Sequence, residues 1–478
     1  MKRGKKVWIG VLLGASALAA PQLAQAKTSR EAALEARLAK LETEMEQLRT
    51  DLATSREQQA QAQASAQAAS TSAQAAATTA QAAVTKSNET ATKLAALEKK
   101  PLPEGMKSGG SSIKIGGYIK LLASSTRYSD GEVATNSLGR DFYLPQTLPT
   151  SNQPATRVTD FTAKQSRFWL NFSTDVAGHA VKGYVEADFQ VSPGTQGSQR
   201  TTNGYNLGLR RAYMQVDKWT FGQDWSTFQY TGALPESTDY VGGVEGTVFV
   251  RQPLIRYTTP LSKQTTLQVS VENPESGTAT VGSPTLIENG KDHMPDFAAR
   301  LVHTGKSAEI SLAALGRQVR VENAGVGATA GGYGASLAGK LFLNKDKTGD
   351  VRFMATYGRN IGRYVGLNFA PDAVYDPVSG KLRNETVFAM LGAVRIPLSP
   401  KLRMNLMGSY QHVNYDSLLT AANVGTFNKQ AWSGAVNLFY SPVKAVDLGV
   451  EVRHGERDLV NGANGTTDRV DFAAKYSF

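Results

Sequence analysis

A strict alternation of apolar and polar residues close to the end of the chain constrains its fold more than any other feature. Every second residue from 470 to 478 is apolar and would share one face of a strand: Val470, Phe472, Ala474, Tyr476 and Phe478. The other face is largely polar, with Arg469, Asp471 and Lys475. Such a strand suits a barrel whose outer face contacts lipid and whose inner face contacts water. We therefore predict a transmembrane β-barrel.

The first 26 residues have the features of a secretory signal peptide. A basic start precedes a short apolar core over residues 7–20 and a small-x-small cleavage site at 24–26. These features favour a signal peptide over residues 1–26 rather than an uncleaved anchor. After Ala26, no apolar run approaches the roughly 18 residues that a spanning helix needs. The final Phe478 resembles the C-terminal aromatic signal of Gram-negative outer-membrane proteins, which predicts recognition by the barrel-assembly machinery.

Residues 27–100 contain no aromatic residue, glycine or proline. Apolar residues recur there at alternating spacings of four and three, the a/d pattern of a coiled coil: Leu34, Leu38, Leu41, Met45, Leu48 and Leu52. The same register reaches Leu94 and Leu97 through an Ala-rich middle, for which a disordered spacer is the alternative. A continuous helix would be about 95 Å long. We predict a periplasmic coiled-coil extension over 27–100, and hence an oligomer, although the heptads do not separate dimer from trimer.

Prolines and glycines over residues 101–112 predict a linker, and from residue 113 the period of the apolar pattern changes to two. Sixteen candidate strands begin near residues 113, 162, 179, 207, 219, 248, 263, 292, 306, 331, 349, 385, 401, 430, 445 and 467. Short connections alternate with long ones, as expected for periplasmic turns and outer loops. We predict an all-β fold for residues 113–478, a 16-stranded antiparallel transmembrane β-barrel. A β-sandwich or propeller is the alternative.

Four segments of this region carry a family resemblance. They read IKIGGYIK over 113–120, RFW over 167–169, FGQDWSTF over 221–228 and RQPLIRY over 251–257. Together with the signal peptide, the coiled coil and the flexible Gly-Gly pair at 109–110, they resemble the DcaP-like family of trimeric outer-membrane porins. The resemblance implies a homotrimer of 16-stranded barrels that takes up small anionic solutes, notably dicarboxylic acids, without energy input.

The polar faces of the predicted strands carry more lysine and arginine than aspartate and glutamate, which indicates a lumen that attracts anions. Arginine suits carboxylates because its planar fork donates two parallel hydrogen bonds. Pairing with acids inside the barrel is the alternative role for any one of these residues. The candidate pore-lining and solute-binding residues are Arg167, Arg211, Arg256, Arg300, Arg317, Arg352 and Arg453.

The long segment 230–247 follows the fifth predicted strand and carries Glu236, Asp239 and Tyr240. By analogy with the third long loop of 16-stranded porins, we expect it to fold inward and narrow the pore. An ordinary external loop is the alternative for a segment of this length.

Other chemistries find little support in the sequence. The chain has no cysteine, its five histidines form no metal-binding spacing, and no cofactor or catalytic residue is indicated. Residues 334–340 match most of a phosphate-binding loop, but Leu341 replaces the required hydroxyl and the segment alternates as a strand. The basic pI near 9.5 comes without basic runs interleaved with aromatics, so nucleic acid is not an expected partner.

The sequence thus predicts a passive, anion-preferring porin in the outer membrane of a Gram-negative bacterium, in contact with outer-membrane lipid and lipopolysaccharide. The alternative is a structural anchor whose coiled coil contacts the cell wall. An enzymatic barrel is not expected, although sequence alone does not exclude one.

Overall fold

The computed structural model describes residues 29–98, 107–108, 110–135, 137–190, 204–288, 290–323 and 326–478. The predicted signal peptide and most of the predicted linker lie outside these residues. The chain divides into two units, one containing most of the N-terminal helix and the other containing the barrel. No helix in the described part of the chain has the length and apolar character needed to cross a membrane.

Helix α1 spans Ser29–Glu98 without interruption. Its many Ala, Gln, Glu and Leu residues have high helix propensity, and threonine hydroxyls along it bond the carbonyl four residues earlier, as Thr50 does with Glu46 at 2.9 Å. Leu38, Leu41 and Leu48 are 57–66% exposed in the single chain. The helix agrees with the predicted extension, whereas pairing with other copies stays a prediction.

Sixteen antiparallel strands form one closed barrel, which confirms the predicted fold. Closure comes from pairing of the first strand with the last, from Tyr118 opposite Ser477 to Tyr128 opposite Thr467. The strands are β1 Ser111–Tyr128, β2 Thr156–Thr162 continued by Arg167–Val176, β3 His179–Asp188, β4 Gly208–Val216, β5 Trp219–Trp225, β6 Arg251–Pro260, β7 Thr265–Glu272, β8 Asp296–Thr304, β9 Ala308–Asn323, β10 Val326–Phe342, β11 Asp350–Arg359, β12 Lys381–Ser399, β13 Leu402–Tyr415, β14 Asn428–Val443, β15 Val446–Leu459 and β16 Asn464–Ser477.

Connections of two to seven residues join the strands at one end of the barrel, and longer loops join most of them at the other. The turn between β2 and β3 shows how the short ones form. Ala177 and Gly178 both have positive φ, which matches the two-residue turn that fits the twist of a hairpin. The Gly178 amide also donates to the Asp175 carboxylate at 3.0 Å.

Several short strands and helices lie outside the barrel wall, in the loops at the long-loop end. Strands Gly277–Thr280 and Ser283–Glu288 form a hairpin, and the first of them also pairs in parallel with Ala373–Asp376. Helices α2 Leu138–Asp141 and α3 Ala421–Val424 and three single 3₁₀ turns lie in the loops. The two-residue strand Lys107–Ser108 pairs with the start of β1.

Three long loops enter the barrel: loop 1 (129–155), loop 3 (226–250) and loop 6 (360–380). Loops 3 and 6 pair with each other through a bridge between Val248 and Val365. They pack against an apolar inner wall in which Val387, Leu391 and Val413 are at most 2% exposed. Loop 1 packs against loop 3 in a second apolar cluster. The interior is therefore apolar on the β8–β14 side, where the loops cover the wall.

Candidate functional site

Charged side chains gather on the inner wall of β2 to β6, across from the apolar wall. Alternation along these strands directs them inward, while the apolar residues between them face outward. Two carboxylates of β3, Glu186 and Asp188, lie at the centre of the group. Arg167 donates to Asp188 at 3.0 Å, and Arg210 donates to Asp188 at 2.8 Å and to Glu186 at 2.6 Å. The Tyr240 hydroxyl also donates to Asp188, at 3.1 Å.

Arg210 is a member of this network that alternation does not predict. Glu186 pairs with Arg211 and Ala187 pairs with Leu209, so a β-bulge leaves Arg210 without an opposite residue. A bulge places two successive side chains on the same face. Both arginines therefore contact the inner carboxylates, and nothing in the local sequence indicates the bulge.

A second network surrounds Asp224 of β5. Arg211 donates to Asp224 at 2.6 Å and Arg256 donates to it at 2.9 Å. The Arg211 guanidinium also lies 4.6 Å from the Tyr184 ring centroid and 5.3 Å from that of Tyr213. These contacts fix the guanidinium groups in place and compensate much of their charge.

Arg251 of β6 and Arg300 of β8 differ from the paired arginines because no described carboxylate lies within 4.0 Å of either guanidinium. Arg300 donates to the Gln268 side chain, at 3.0 Å from Nε, and to the Gln229 carbonyl. The Arg251 guanidinium stacks over Trp225, 5.1 Å from the ring centroid. Both residues are partly exposed, and each places a guanidinium group without a direct acidic partner inside the barrel.

The structure places two of the predicted arginines beneath the loops. The Arg317 side chain has no exposed surface and lies 2.7 Å from Asp372 of loop 6 and 3.4 Å from Asp296. The Arg453 side chain is 1% exposed and bonds Glu451 at 2.8 Å. Their guanidinium groups do not reach the open lumen, so neither residue lines the pore in this structure.

Arg352 occupies an intermediate position. It bonds Asp350 of the same strand at 2.6 Å and the Leu234 carbonyl of loop 3, and its side chain is partly exposed. It therefore links the inner wall of β11 to the loop and still borders the lumen.

Loop 3 crosses the barrel interior, and all three residues singled out in it contact other elements. Glu236 accepts hydrogen bonds from Arg403 of β13, at 2.8 Å from Nε. Asp239 accepts from the Tyr143 amide of loop 1 at 3.0 Å. Tyr240 reaches the network around Asp188 on the opposite wall. These contacts show the loop folded inward between β3 and β13.

Buried acids join loop 3 to loop 1. Glu245 is fully buried and accepts a hydrogen bond from the Tyr143 hydroxyl at 3.1 Å. Burial raises the pKa of the Glu245 carboxyl above its usual range, because water is removed from the charged form. Asp239, also buried, has its pKa raised for the same reason despite the nearby Arg469 and Arg453.

Comparison with solved structures supports the fold. The outer-membrane channel DcaP of Acinetobacter baumannii is similar at 24% identity, with a TM-score of 0.63, over 78% of this chain and 99% of that one. The outer-membrane-expressed OmpT of Vibrio cholerae is similar at 10% identity, with a TM-score of 0.50, over 78% of this chain and 100% of that one. Comparison with curated proteins gave no match.

A family model decides the relationship. The model described as DcaP outer membrane protein matches residues 109–478, which cover the whole barrel. The resemblance noted in the sequence is therefore confirmed, and the outer membrane is the location that the family indicates. The chain belongs to the DcaP outer membrane protein family.

Proposed function

We propose that this protein is a porin through which small anionic solutes, dicarboxylates above all, diffuse passively. One observation carries the proposal: Arg251 of β6 and Arg300 of β8 hold guanidinium groups without a direct acidic partner inside the barrel. A positive, partly desolvated lining concentrates anions and repels cations. Two such groups inside the barrel would suit a solute that carries two carboxylates, each bound by a planar fork.

The paired arginines have a different role in this proposal. Arg167, Arg211 and Arg256 bind wall carboxylates, which holds their guanidinium groups in place and leaves little net charge for a solute. They would shape the passage and supply weaker, shared contacts. Loop 3, through Glu236, Asp239 and Tyr240, would set the narrowest point, because it lies between opposite walls.

The orientation of the barrel in the membrane and its association with other copies are also part of the proposal. The short turns would face the periplasm and the long loops the outside, with α1 in the periplasm. The exposed heptad residues of α1 would pair with other copies, and we propose a homotrimer. The exposed apolar side chains on the outer face of the barrel, such as Ile119 and Phe472, would contact outer-membrane lipid and lipopolysaccharide.

Planar-bilayer recording tests the proposal with the full chain. In a KCl gradient, the reversal potential is expected to have the sign of an anion-preferring pore, and succinate is expected to reduce the chloride current. A cation-preferring reversal potential would refute the role of the arginines. A barrel that passes no ions would instead favour a structural anchor, for which the long helix α1 is the supporting observation.

A further inference from the structure

Three successive hairpin turns at the short-turn end border an open pocket. They join β6 to β7, β8 to β9, and β10 to β11. The pocket has a volume of about 760 Å³. Its lining residues include Lys306, Lys345 and Lys347 together with Phe342, and none of them is acidic.

The three lysines are exposed and form no ion pair with any described residue. The Lys347 ammonium lies 4.3 Å from the centroid of the Phe342 ring, and the Lys340 ammonium lies 5.7 Å from the same ring. Lys340 is compensated by Glu309 at 3.2 Å, whereas Lys347 is not. Phe342 therefore holds an uncompensated cation at the pocket.

The turn that carries two of these lysines has a fixed shape. Lys347 has φ +56°, and its amide donates to the Asn344 carbonyl at 3.2 Å. The Asn344 side chain binds Thr348 at 2.8 Å and the Gly349 amide at 3.1 Å. This hydrogen-bonded turn holds Lys345 and Lys347 close together although both are exposed.

We infer that this pocket is an anion-binding site at the periplasmic mouth, separate from the arginine wall, for a small oxyanion with two negative charges such as a phosphate or a dicarboxylate. The chemistry of the lining is complementary to such a group, because three ammonium groups repel cations and bind oxygens in any orientation. Asp346, the acid of the same turn, is not among the lining residues and accepts a hydrogen bond from Thr348 at 3.2 Å. The inference rests on the proposed orientation of the barrel. It adds a second, mouth-side binding step to the proposed passage of anions.

A triple substitution with a matched control tests the site. K306Q/K345Q/K347Q removes three charges from the pocket, and K218Q/K401Q/K444Q removes three exposed lysines from other short turns. Succinate or inorganic phosphate is added to one side of a phosphatidylcholine bilayer at a time, and block of the chloride current is measured. The pocket variant is expected to weaken block from the short-turn side about fivefold, because exposed ion pairs contribute up to about 1 kcal/mol in all. Block from the loop side and the behaviour of the control variant are expected to stay unchanged.

A second variant tests the aromatic contact without changing charge. F342L is expected to weaken block from the short-turn side about twofold, because a cation–π contact at an exposed site is worth roughly 0.5 kcal/mol. Equal effects of the two triple variants, or no effect of either, would overturn the inference. If the unmodified protein shows no preference for anions, the proposed function is overturned instead. The comparison of block between the two triple variants still decides whether the pocket binds an anion.

The same measurement separates two sources of the oxyanion. Phosphatidic acid carries a headgroup phosphate monoester, which can hold two negative charges, and is added to the bilayer at about a fifth of the lipid, enough to supply a charged surface. If it competes with succinate in the unmodified protein but not in the pocket variant, a lipid phosphate is the occupant. If it does not compete, the occupant is a soluble anion.

Discussion

At the residue scale, the arginines inside the barrel differ in the partners of their guanidinium groups. Arg167, Arg211 and Arg256 bind carboxylates, Arg317 and Arg453 are enclosed by loops, and Arg251 and Arg300 have no acidic partner. An arginine paired with a carboxylate adds little net field, because the two charges offset each other beyond a few ångströms. Selectivity is therefore expected to depend more on unpaired arginines such as Arg251 and Arg300 than on the paired ones.

Substitution of Arg300 by alanine tests this expectation. R300A is expected to lower the ratio of anion to cation permeability about threefold, since one lost charge beside the passage is worth roughly 0.6 kcal/mol. Reversal potentials in a KCl gradient give the ratio. The control is R157A, which removes an exposed arginine from β2. Equal permeability ratios for the two variants would contradict the assignment of Arg300.

The buried acid of loop 3 gives a prediction about pH. Because the pKa of Glu245 is raised in the folded protein, the folded state binds its proton more tightly than the unfolded state does. Stability linked to this group therefore increases as the pH falls and decreases as the pH rises. The glutamine of E245Q is neutral at every pH. The Tm of E245Q is therefore expected to exceed that of the unmodified protein, by the largest margin at pH 8.

Thermal unfolding at pH 8, 6 and 5 measures that difference. The gap in Tm between E245Q and the unmodified protein is expected to narrow steadily toward pH 5. The control is E288Q, which neutralises an exposed carboxylate in the strand Ser283–Glu288. A gap that widens as the pH falls would show that Glu245 is stabilised as a carboxylate.

At the element scale, loop 3 depends on its contact with β13. Arg403 binds Glu236 through both Nε and a terminal nitrogen, and neither side chain is fully buried. Charge-assisted hydrogen bonds of this kind contribute about 1.5 to 3 kcal/mol. Ser237 and Thr238 of the same loop bind Glu451 of β15 at 2.7 and 3.1 Å, so the contact with β13 is one of several anchors here.

A double-mutant cycle tests the anchor. R403Q and E236Q are each expected to increase amide hydrogen exchange over residues 230–247 about tenfold, as a loss of roughly 1.4 kcal/mol implies. The double variant is expected to exchange no faster than either single variant, because both remove the same contact. Additive effects would show that the two residues stabilise the loop through other partners.

The strands were predictable because a wall between lipid and water imposes a period of two on each strand. The interior was less predictable. Val387, Ala389 and Leu391 face inward yet are apolar, since loops 3 and 6 cover them. The apolar run over 387–394 does signal burial on both faces, but it does not say what provides the cover. Arg210 was missed because a bulge depends on pairing with the neighbouring strand.

At the scale of the whole molecule, the helix and the barrel are separate units. Ion conduction is therefore expected to be a property of the barrel alone. Deletion of residues 27–100 is expected to leave single-channel conductance within about 20% of that of the full chain, because the interior charges all lie on the barrel and its loops. Bilayer recording of the shortened protein checks this. A silent channel would place part of the barrel's folding information within the helix.

The apolar inner wall behind loops 3 and 6 has a consequence for the electric field. A passage bounded on one side by tightly packed hydrocarbon has less polarisable material around it than one lined by water, so field lines stay within the passage. The charges of Arg251 and Arg300 then act on a passing ion through a medium that weakens them less. Added salt would screen these two charges less than it screens charges at the mouths of the barrel. At the mouths, the Debye length is about 10 Å at 0.1 M. A barrel with one apolar inner wall can thus use only a few fixed charges to discriminate between anions and cations.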